Sequence, residues 1–264
     1  MRRNRFAELL AGDDVLLGAH LPFPSPDLVE FCGHLGFDWV FIDAEHGVIG
    51  PETSLGLVRA ADGVGLASLV RVPATTASVV LAYVESGADV ILAPHVVSAA
   101  TASELVGSVR YWPEGSRGAG SGSRAANWGV TQSAAEYFAA TDRHALPMAM
   151  LEDVGAFDKL DELCGVPGLD LFFIGAGDLA MSMGLPGQVN HPDVVERVAA
   201  AAAGLRSAGK EFGAIAISPT SVEAMVGMGC RMLALPLGVL LASAARDYVA
   251  KSRETIAAAK DRAR

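Results

Sequence analysis

Short apolar runs of strand length alternate with longer stretches of helical spacing along the whole chain, and this alternation restricts the available folds more than any other feature. Eight such runs occur: Val15 to Ala19, Trp39 to Asp43, Ala67 to Val72, Val90 to Ala93, Pro147 to Glu152, Leu169 to Ile174, Gly213 to Ile217 and Met232 to Leu235. They are apolar on consecutive residues, the pattern of strands covered on both faces, as parallel strands are. The helical stretches are Pro26 to Leu35, Pro51 to Ala61, Thr75 to Ser86, Ser98 to Arg110, Ala156 to Cys164, His191 to Ala208, Pro219 to Met228 and Val239 to Ala259. Eight strands with eight helices match an α/β fold of the (β/α)8 TIM barrel type. An open doubly wound sheet is the structural alternative, but no Gly-rich dinucleotide turn follows the first strand. No repeat, linker or shift in composition divides the chain, so residues 1–264 read as a single barrel domain.

One segment breaks the alternation. Pro113 to Gly129 holds Gly115, Gly118, Gly120, Gly122 and Gly129 with Arg117 and Arg124, and is too long for an ordinary connection. It reads either as a surface excursion or as a loop that covers the strand ends or meets a neighbouring subunit.

Composition removes several function classes. Twenty Lys plus Arg against 30 Asp plus Glu give a net charge of -10, a poor match to nucleic acid. Cys32, Cys164 and Cys230 are odd in number and far apart, which fits a reducing cytoplasm better than disulfides or a zinc cluster. The basic start from Met1 to Arg5 is followed by Glu8, Asp13 and Asp14, so no signal peptide is expected. The apolar stretch from Met232 to Ala245 contains Pro236 and falls short of the roughly 18 to 20 residues that span a bilayer, so no membrane segment is expected.

In a barrel of this kind catalytic groups gather at the C-terminal strand ends. Glu152 and Asp178 end adjacent strands, and two carboxylates aimed at one point repel unless a proton or cation lies between them. A divalent cation satisfies them, and oxygen ligands favour Mg2+ or Mn2+, with Co2+ or Zn2+ as further candidates. The plainer alternatives are that Asp178 caps a helix and Glu152 pairs with an arginine. His46, three residues after Asp43, is a candidate base held by that carboxylate, although a lone histidine is more often structural. Arg71, at the end of an apolar strand, needs an anionic partner, either an internal carboxylate or one from substrate. Glu85 reads as an ordinary exposed acid or as a partner for His46. Gly175, Ala176 and Gly177 open a helix, whose unpaired N–H groups suit a small carboxylate or a phosphate. None of Lys159, Lys210, Lys251 and Lys260 ends a strand, so a Schiff base lacks its nucleophile, and no Gly-x-Ser-x-Gly elbow is present.

The ordered set Phe37 to Gly47 (FDWVFIDAEHG), Val70-Arg71-Val72-Pro73, Arg117-Gly118-Ala119-Gly120 and Phe173 to Leu179 (FIGAGDL) resembles the HpcH/HpaI aldolase family over roughly residues 15 to 250. The resemblance implies a (β/α)8 barrel and a metal-dependent class II pyruvate aldolase that cleaves or forms 4-hydroxy-2-oxoacids. By position it implies Glu152 and Asp178 as metal ligands, Arg71 as the oxoacid-binding arginine, His46 as the catalytic histidine, and Asp43 with Glu85 as its associated acids. It also implies a hexamer, a trimer of dimers with the last helix exchanged between subunits. Met150 stands where many members carry glutamine, Glu85 where they carry aspartate, His20 where some carry tryptophan, and Leu235-Pro236-Leu237 departs from the usual Val-Gly-Val-Asp. These departures bear on the aldehyde acceptor. Two competing readings are an acyl-CoA carbon–carbon lyase similar to the citrate lyase β subunit and a noncatalytic oxoacid-binding protein.

Overall fold

The eight apolar runs form eight parallel strands: β1 (Leu16–His20), β2 (Trp39–Asp43), β3 (Ala67–Arg71), β4 (Val90–Ala93), β5 (Leu146–Leu151), β6 (Leu171–Ile174), β7 (Glu211–Ile215) and β8 (Met232–Pro236). Each pairs with the next and β8 closes on β1, giving the barrel and excluding the open sheet. The computed structural model describes residues 3–140 and 145–263; Met1 and Arg2 of the basic start, and residue 264 of the domain range, lie outside them.

The helices are α1 (Arg5–Leu10), α2 (Pro26–His34), α3 (Pro51–Gly63), α4 (Ala77–Val84), α5 (Ala99–Val109), α6 (Ala134–Ala139), α7 (Val154–Asp158), α8 (Leu160–Cys164), α9 (Ala176–Ser182), α10 (Pro192–Ser207), α11 (Pro219–Gly227) and α12 (Leu237–Arg262). Their starts are set locally: Ser25, Ser98 and Ser218 accept backbone N–H bonds at the caps of α2, α5 and α11, and proline opens α2, α3, α10 and α11. The stretch read as one helix from Ala156 to Cys164 is two, α7 and α8, broken at Lys159 (φ -114°, ψ 24°). The six-residue helices α1 and α6 are too short to show a helical period in sequence.

Residues two apart on a strand face the same side. Trp39, Phe41, Leu69, Leu92, Met148, Met150 and Phe173 fill the barrel interior, while the residues between them, such as Val40, Ile42, Val70, Ile91, Ala149 and Phe172, pack outward in the core that contains the helices. Both faces are apolar, which is why the runs do not alternate. The interior is crowded: a Cβ on Gly18 would come within 2.2 Å of the Trp39 ring, so glycine there makes room for the indole.

The N-terminal end of the barrel is closed by α1. Phe6 is fully buried and meets Trp39 edge-on with ring centroids 5.6 Å apart. The helix is tied down by Asp89, which accepts from the Ser68 N–H at 2.8 Å and from the Arg5 N–H at 3.1 Å. Asn4 donates to the Asp89 carbonyl at 2.7 Å.

The long segment after α5 does not cover the strand ends. Arg117 donates to Glu85 Oε1 at 2.7 Å and lies 4.5 Å from the Tyr111 ring centroid. Arg124 donates to the Ser86 carbonyl at 2.7 Å and pairs with Asp62. Asp62, Glu85 and Ser86 lie where α3 and α4 finish, so the segment clasps helix ends. The 26-residue α12 has Leu237 as its buried residue and exposes Leu240, Leu241, Tyr248, Val249 and Ile256. Among the described residues no helix is long and apolar enough to cross a membrane.

Because Phe6 stops one end of the barrel, Phe6→Ala is expected to lower stability by about 3–5 kcal/mol. Urea unfolding measures this, and a loss under about 1 kcal/mol would mean that α1 contributes little as a plug.

Candidate active site

The inward-facing series turns polar at the C-terminal ends of the strands. One two-residue step beyond Gly18 is His20, beyond Phe41 is Asp43, beyond Leu69 is Arg71, beyond Met150 is Glu152 and beyond Phe173 is Gly175. The alternation that builds the core therefore delivers these positions to one mouth.

Asp43 and Arg71 are paired neighbours in the β2–β3 register, and both are buried. Arg71 Nε donates to Asp43 Oδ1 at 2.9 Å and Nη2 donates to Oδ2 at 2.5 Å, a two-pronged contact that settles the arginine's need for an internal carboxylate. Burial alone would raise the Asp43 carboxyl, but hydrogen bonds from His20 and Arg71 and the Arg71 charge hold it well below the usual carboxylate range. Among the described residues, Arg71 Nη1 meets only the Met150 sulfur, at 3.5 Å.

Asp43 also organises the turn that follows it. Its Oδ1 accepts the backbone N–H groups of Glu45 and His46 at 3.1 and 3.2 Å. The expectation that this carboxylate holds the His46 ring is corrected: it bonds the backbone, while the ring is 63% exposed on the rim with Nε2 3.9 Å from Glu45 Oε2. The imidazole beside Asp43 is His20, whose Nε2 lies 3.6 Å from Oδ2. The pairing of Glu85 with His46 is also corrected within one chain. Glu85 is the C-cap of α4 and is bound by Arg117, away from the mouth.

Glu152 follows β5 and is 1% exposed. Its Oε1 accepts the His95 backbone N–H at 2.8 Å. Gly175 gives it room, since a Cβ there would come to 3.0 Å from Glu152 Cβ. Burial pushes the Glu152 carboxyl up, and the charges of Glu45 and Asp178 push it further, against the lowering influence of His95. Asp178 is thus close enough to act on Glu152. It sits in the first turn of α9, whose cap residue is Gly175, so Asp178 does not cap that helix. Neither plain alternative holds, since the hydrogen-bond partner of Glu152 is His95 and not an arginine.

A cavity of about 500 Å³ opens over these groups and is lined by His20, Arg71, Met150, Gly175, Ala176, Gly177 and Asp178, with an apolar wall that includes Ile215, Ile217 and Met225. A donor set fit for a divalent cation lies at the same mouth. One ligating atom each from Glu45, His95 and Glu152 falls within 4.8 Å of the others. Glu45 Oε2 is shielded from solvent and makes no hydrogen bond, although Arg71 Nε is 3.2 Å away and committed to Asp43.

Sequence reasoning missed Glu45, His95 and Asp153 as site members. His95 follows β4 directly in Ala93-Pro94-His95, so the strand-end rule that found Arg71 was available for it. Glu45 and Asp153 sit in the turns after β2 and β5, beside residues that were found.

The model of the HpcH/HpaI aldolase/citrate lyase family matches residues 16–245. A hydroxypyruvate/pyruvate aldolase of Cupriavidus necator is 32% identical over 253 residues, covering 95% of this chain and 93% of that protein. A 4-hydroxy-2-oxovalerate aldolase of Novosphingobium aromaticivorans is 32% identical over 260 residues, covering 97% of each. Among solved structures, a HpcH/HpaI aldolase/citrate lyase family protein from Burkholderia cenocepacia superposes with a TM-score of 0.88 at 27% identity, covering 95% of this chain and 99% of that one. The family depends on a divalent metal, and with its barrel, strand-end residues and aldolase relatives this chain belongs to the HpcH/HpaI aldolase/citrate lyase family as a carbon–carbon lyase of the class II aldolase type.

Proposed function

We propose that the protein reversibly cleaves 4-hydroxy-2-oxoacids to pyruvate or hydroxypyruvate and an aldehyde. The observation that carries this reading is the state of Arg71: Nε and Nη2 are engaged by Asp43, Nη1 meets only a thioether among the described residues, and the side chain lines the cavity within the influence of the Glu152 charge. A fixed cationic donor next to a carboxylate cluster suits an oxoacid whose keto oxygen gains negative charge as a neighbouring bond breaks. Glu152 and Asp178 are the residues that would hold the divalent cation, Mg2+ or Mn2+ in the first instance. When bound, the cation supplies positive charge that polarises the oxoacid and offsets the charge released at the reacting carbon.

In the cleavage direction His46, acting through a water, takes the proton of the C4 hydroxyl, C4 becomes the aldehyde carbonyl, and the electrons of the C3–C4 bond pass into the enolate of pyruvate. Arg71 Nη1 donates to the charged oxygen, and a proton returned to C3 completes pyruvate. Ala176 and Gly177 orient the oxoacid carboxylate through backbone N–H groups. Arg71 is the single Arg or Lys among the described residues lining the cavity, and it is already paired. This favours a small oxoacid over an acyl-CoA ester, whose phosphates need several cations. The exposed apolar residues of α12 support an oligomer in which another copy covers that helix, in keeping with the hexamer that the resemblance implies.

The buried pair also ties stability to acid. Asp43 has a folded pKa below its unfolded value of about 3.9, so its contribution is fully present above that value and fades as pH falls through it toward the depressed folded one.

Three outcomes test the reading. Turnover of pyruvate or hydroxypyruvate with an aldehyde panel and Mg2+ or Mn2+ should fall about 10²- to 10³-fold in Arg71→Ala; near-normal turnover rejects its role, and no turnover by the parent protein leaves an oxoacid-binding protein. Glu152→Gln combined with Asp178→Asn should abolish metal-dependent activity, whereas retained, EDTA-sensitive turnover would put the cation elsewhere. Asp43→Asn leaves a buried guanidinium without its partner and should cost about 3–5 kcal/mol near neutral pH. In urea unfolding the gap from the parent protein should narrow below about pH 4; a gap that stays constant with pH contradicts the linkage.

A further inference from the structure

The cleavage described above leaves one proton without a carrier, the one that joins C3 when the enolate becomes pyruvate. His46 is taken up with the C4 hydroxyl, and its ring stands on the rim. Another imidazole lines the cavity itself. His20 ends β1, where the register sets it beside Phe41 of β2, and the two rings meet with centroids 4.8 Å apart. Its Nε2 lies 3.6 Å from Asp43 Oδ2, the same oxygen that accepts from Arg71 Nη2 at 2.5 Å. Imidazole and guanidinium therefore converge on one carboxylate oxygen, and the ring stands beside whatever the guanidinium binds. The His20 side chain is 25% exposed, enough to trade protons with water at the mouth. A purely structural histidine would need only the packing against Phe41; an orienting carboxylate and a place in the cavity wall are what a proton-transfer group requires. Of the ionisable side chains described along that wall, Arg71 stays charged and Asp178 is assigned to the cation, which leaves His20.

We propose that His20 moves the proton at C3, with Asp43 orienting its ring. The inference rests on the oxoacid reading and deepens it by dividing two proton transfers, at the C4 hydroxyl and at C3, between two histidines. In the cleavage direction the protonated ring gives its proton to C3: the π electrons of the enolate form the new C–H bond, the C2 carbonyl is restored and the imidazole is left neutral. The ring then regains a proton from solvent, which receives the one taken from the C4 hydroxyl, so none is gained or lost over the cycle. In synthesis the neutral ring removes a proton from the methyl group of pyruvate, and the C–H electrons pass into the enolate. The carboxylate serves both directions. With Nε2–H turned to Asp43, one tautomer is fixed, Nδ1 becomes the exchanging nitrogen, and the imidazolium is stabilised once that nitrogen is protonated.

Hydrogen exchange at pyruvate isolates this step, because it requires neither an aldehyde nor a C4 hydroxyl. The full-length protein with Mg2+ or Mn2+ is incubated with pyruvate in D2O, and loss of the methyl proton signal is followed by NMR beside His20→Gln, with pyruvate binding measured calorimetrically for both. Glutamine keeps an amide N–H for Asp43 but has no nitrogen that takes up and releases a proton. The parent protein should exchange the methyl protons, and the variant should do so at least about 10²-fold more slowly while binding pyruvate as the parent does. Parental exchange in His20→Gln, no exchange by the parent, or a loss of exchange matched by an equal loss of pyruvate binding overturns the proposal, the last by giving His20 a structural role. Exchange that depends on His20 in a protein that turns over no aldehyde would leave this proposal standing and remove the aldol reading. Aldol turnover by the parent with unaltered exchange in His20→Gln would do the reverse.

Discussion

The contact on which the mouth depends is the two-pronged pair between Asp43 and Arg71. A guanidinium at the end of an apolar barrel loses most of its hydration, and only a carboxylate held in the right plane offsets that loss. The β2–β3 register provides this plane by making the two residues lateral neighbours. The same carboxylate then binds the backbone of Glu45 and His46, so the turn carrying both side chains is shaped by the pair. With two of its nitrogens occupied, the guanidinium has one nitrogen left for anything entering the cavity, and the thioether of Met150 competes for it only weakly.

Around this pair the charges do not balance. Arg71 is shared between Asp43 and Glu45, while Glu152 and Asp153 lie beside His95 and Asp178 acts on Glu152. An oxoacid is itself an anion, so entering such a mouth is unfavourable until positive charge has been added. A divalent cation held here would offset part of that negative charge as well as polarise a carbonyl, so metal binding would be expected to precede the oxoacid. The apolar wall contributed by Ile215, Ile217 and Met225 lies on the other side of the cavity, where a neutral aldehyde meets no such barrier.

The barrel was legible because its strands are apolar on both faces and its helices begin with Ser or Pro, signals that are local in sequence. Asp43, Arg71, Glu152 and Asp178 were legible because a polar residue at the end of an apolar run has few structural uses. At His46 and Glu85 nearness in sequence does not become contact in the fold. Proximity in sequence puts Asp43 within reach of His46, yet the short turn directs two backbone N–H groups to the carboxylate and sends the ring to the rim. The partner of Glu85 lies 32 residues away in sequence, in the glycine-rich segment, and no periodicity reports such a meeting. His95 was overlooked because a lone histidine after a proline carries little weight until Asp153 and Glu152 are seen around it.

The two ends of the barrel divide the work, and this explains where polar groups are tolerated. At the N-terminal end Asp89 is satisfied by Ser68 and the start of α1, and Phe6 fills the space below Trp39; nearby, Arg117 and Arg124 bind the ends of α4 and α3. Asp89 and the two arginines are paired there, although Glu85 Oε2, Ser86 Oγ and Trp39 Nε1 make no hydrogen bond. At the C-terminal end a buried carboxylate faces others, and a histidine holds a left-handed backbone. Such an arrangement costs stability. The plugged and clasped opposite end can sustain that cost because both ends share the same eight strands, so cohesion gained below holds the polar residues above in the positions that bind and react.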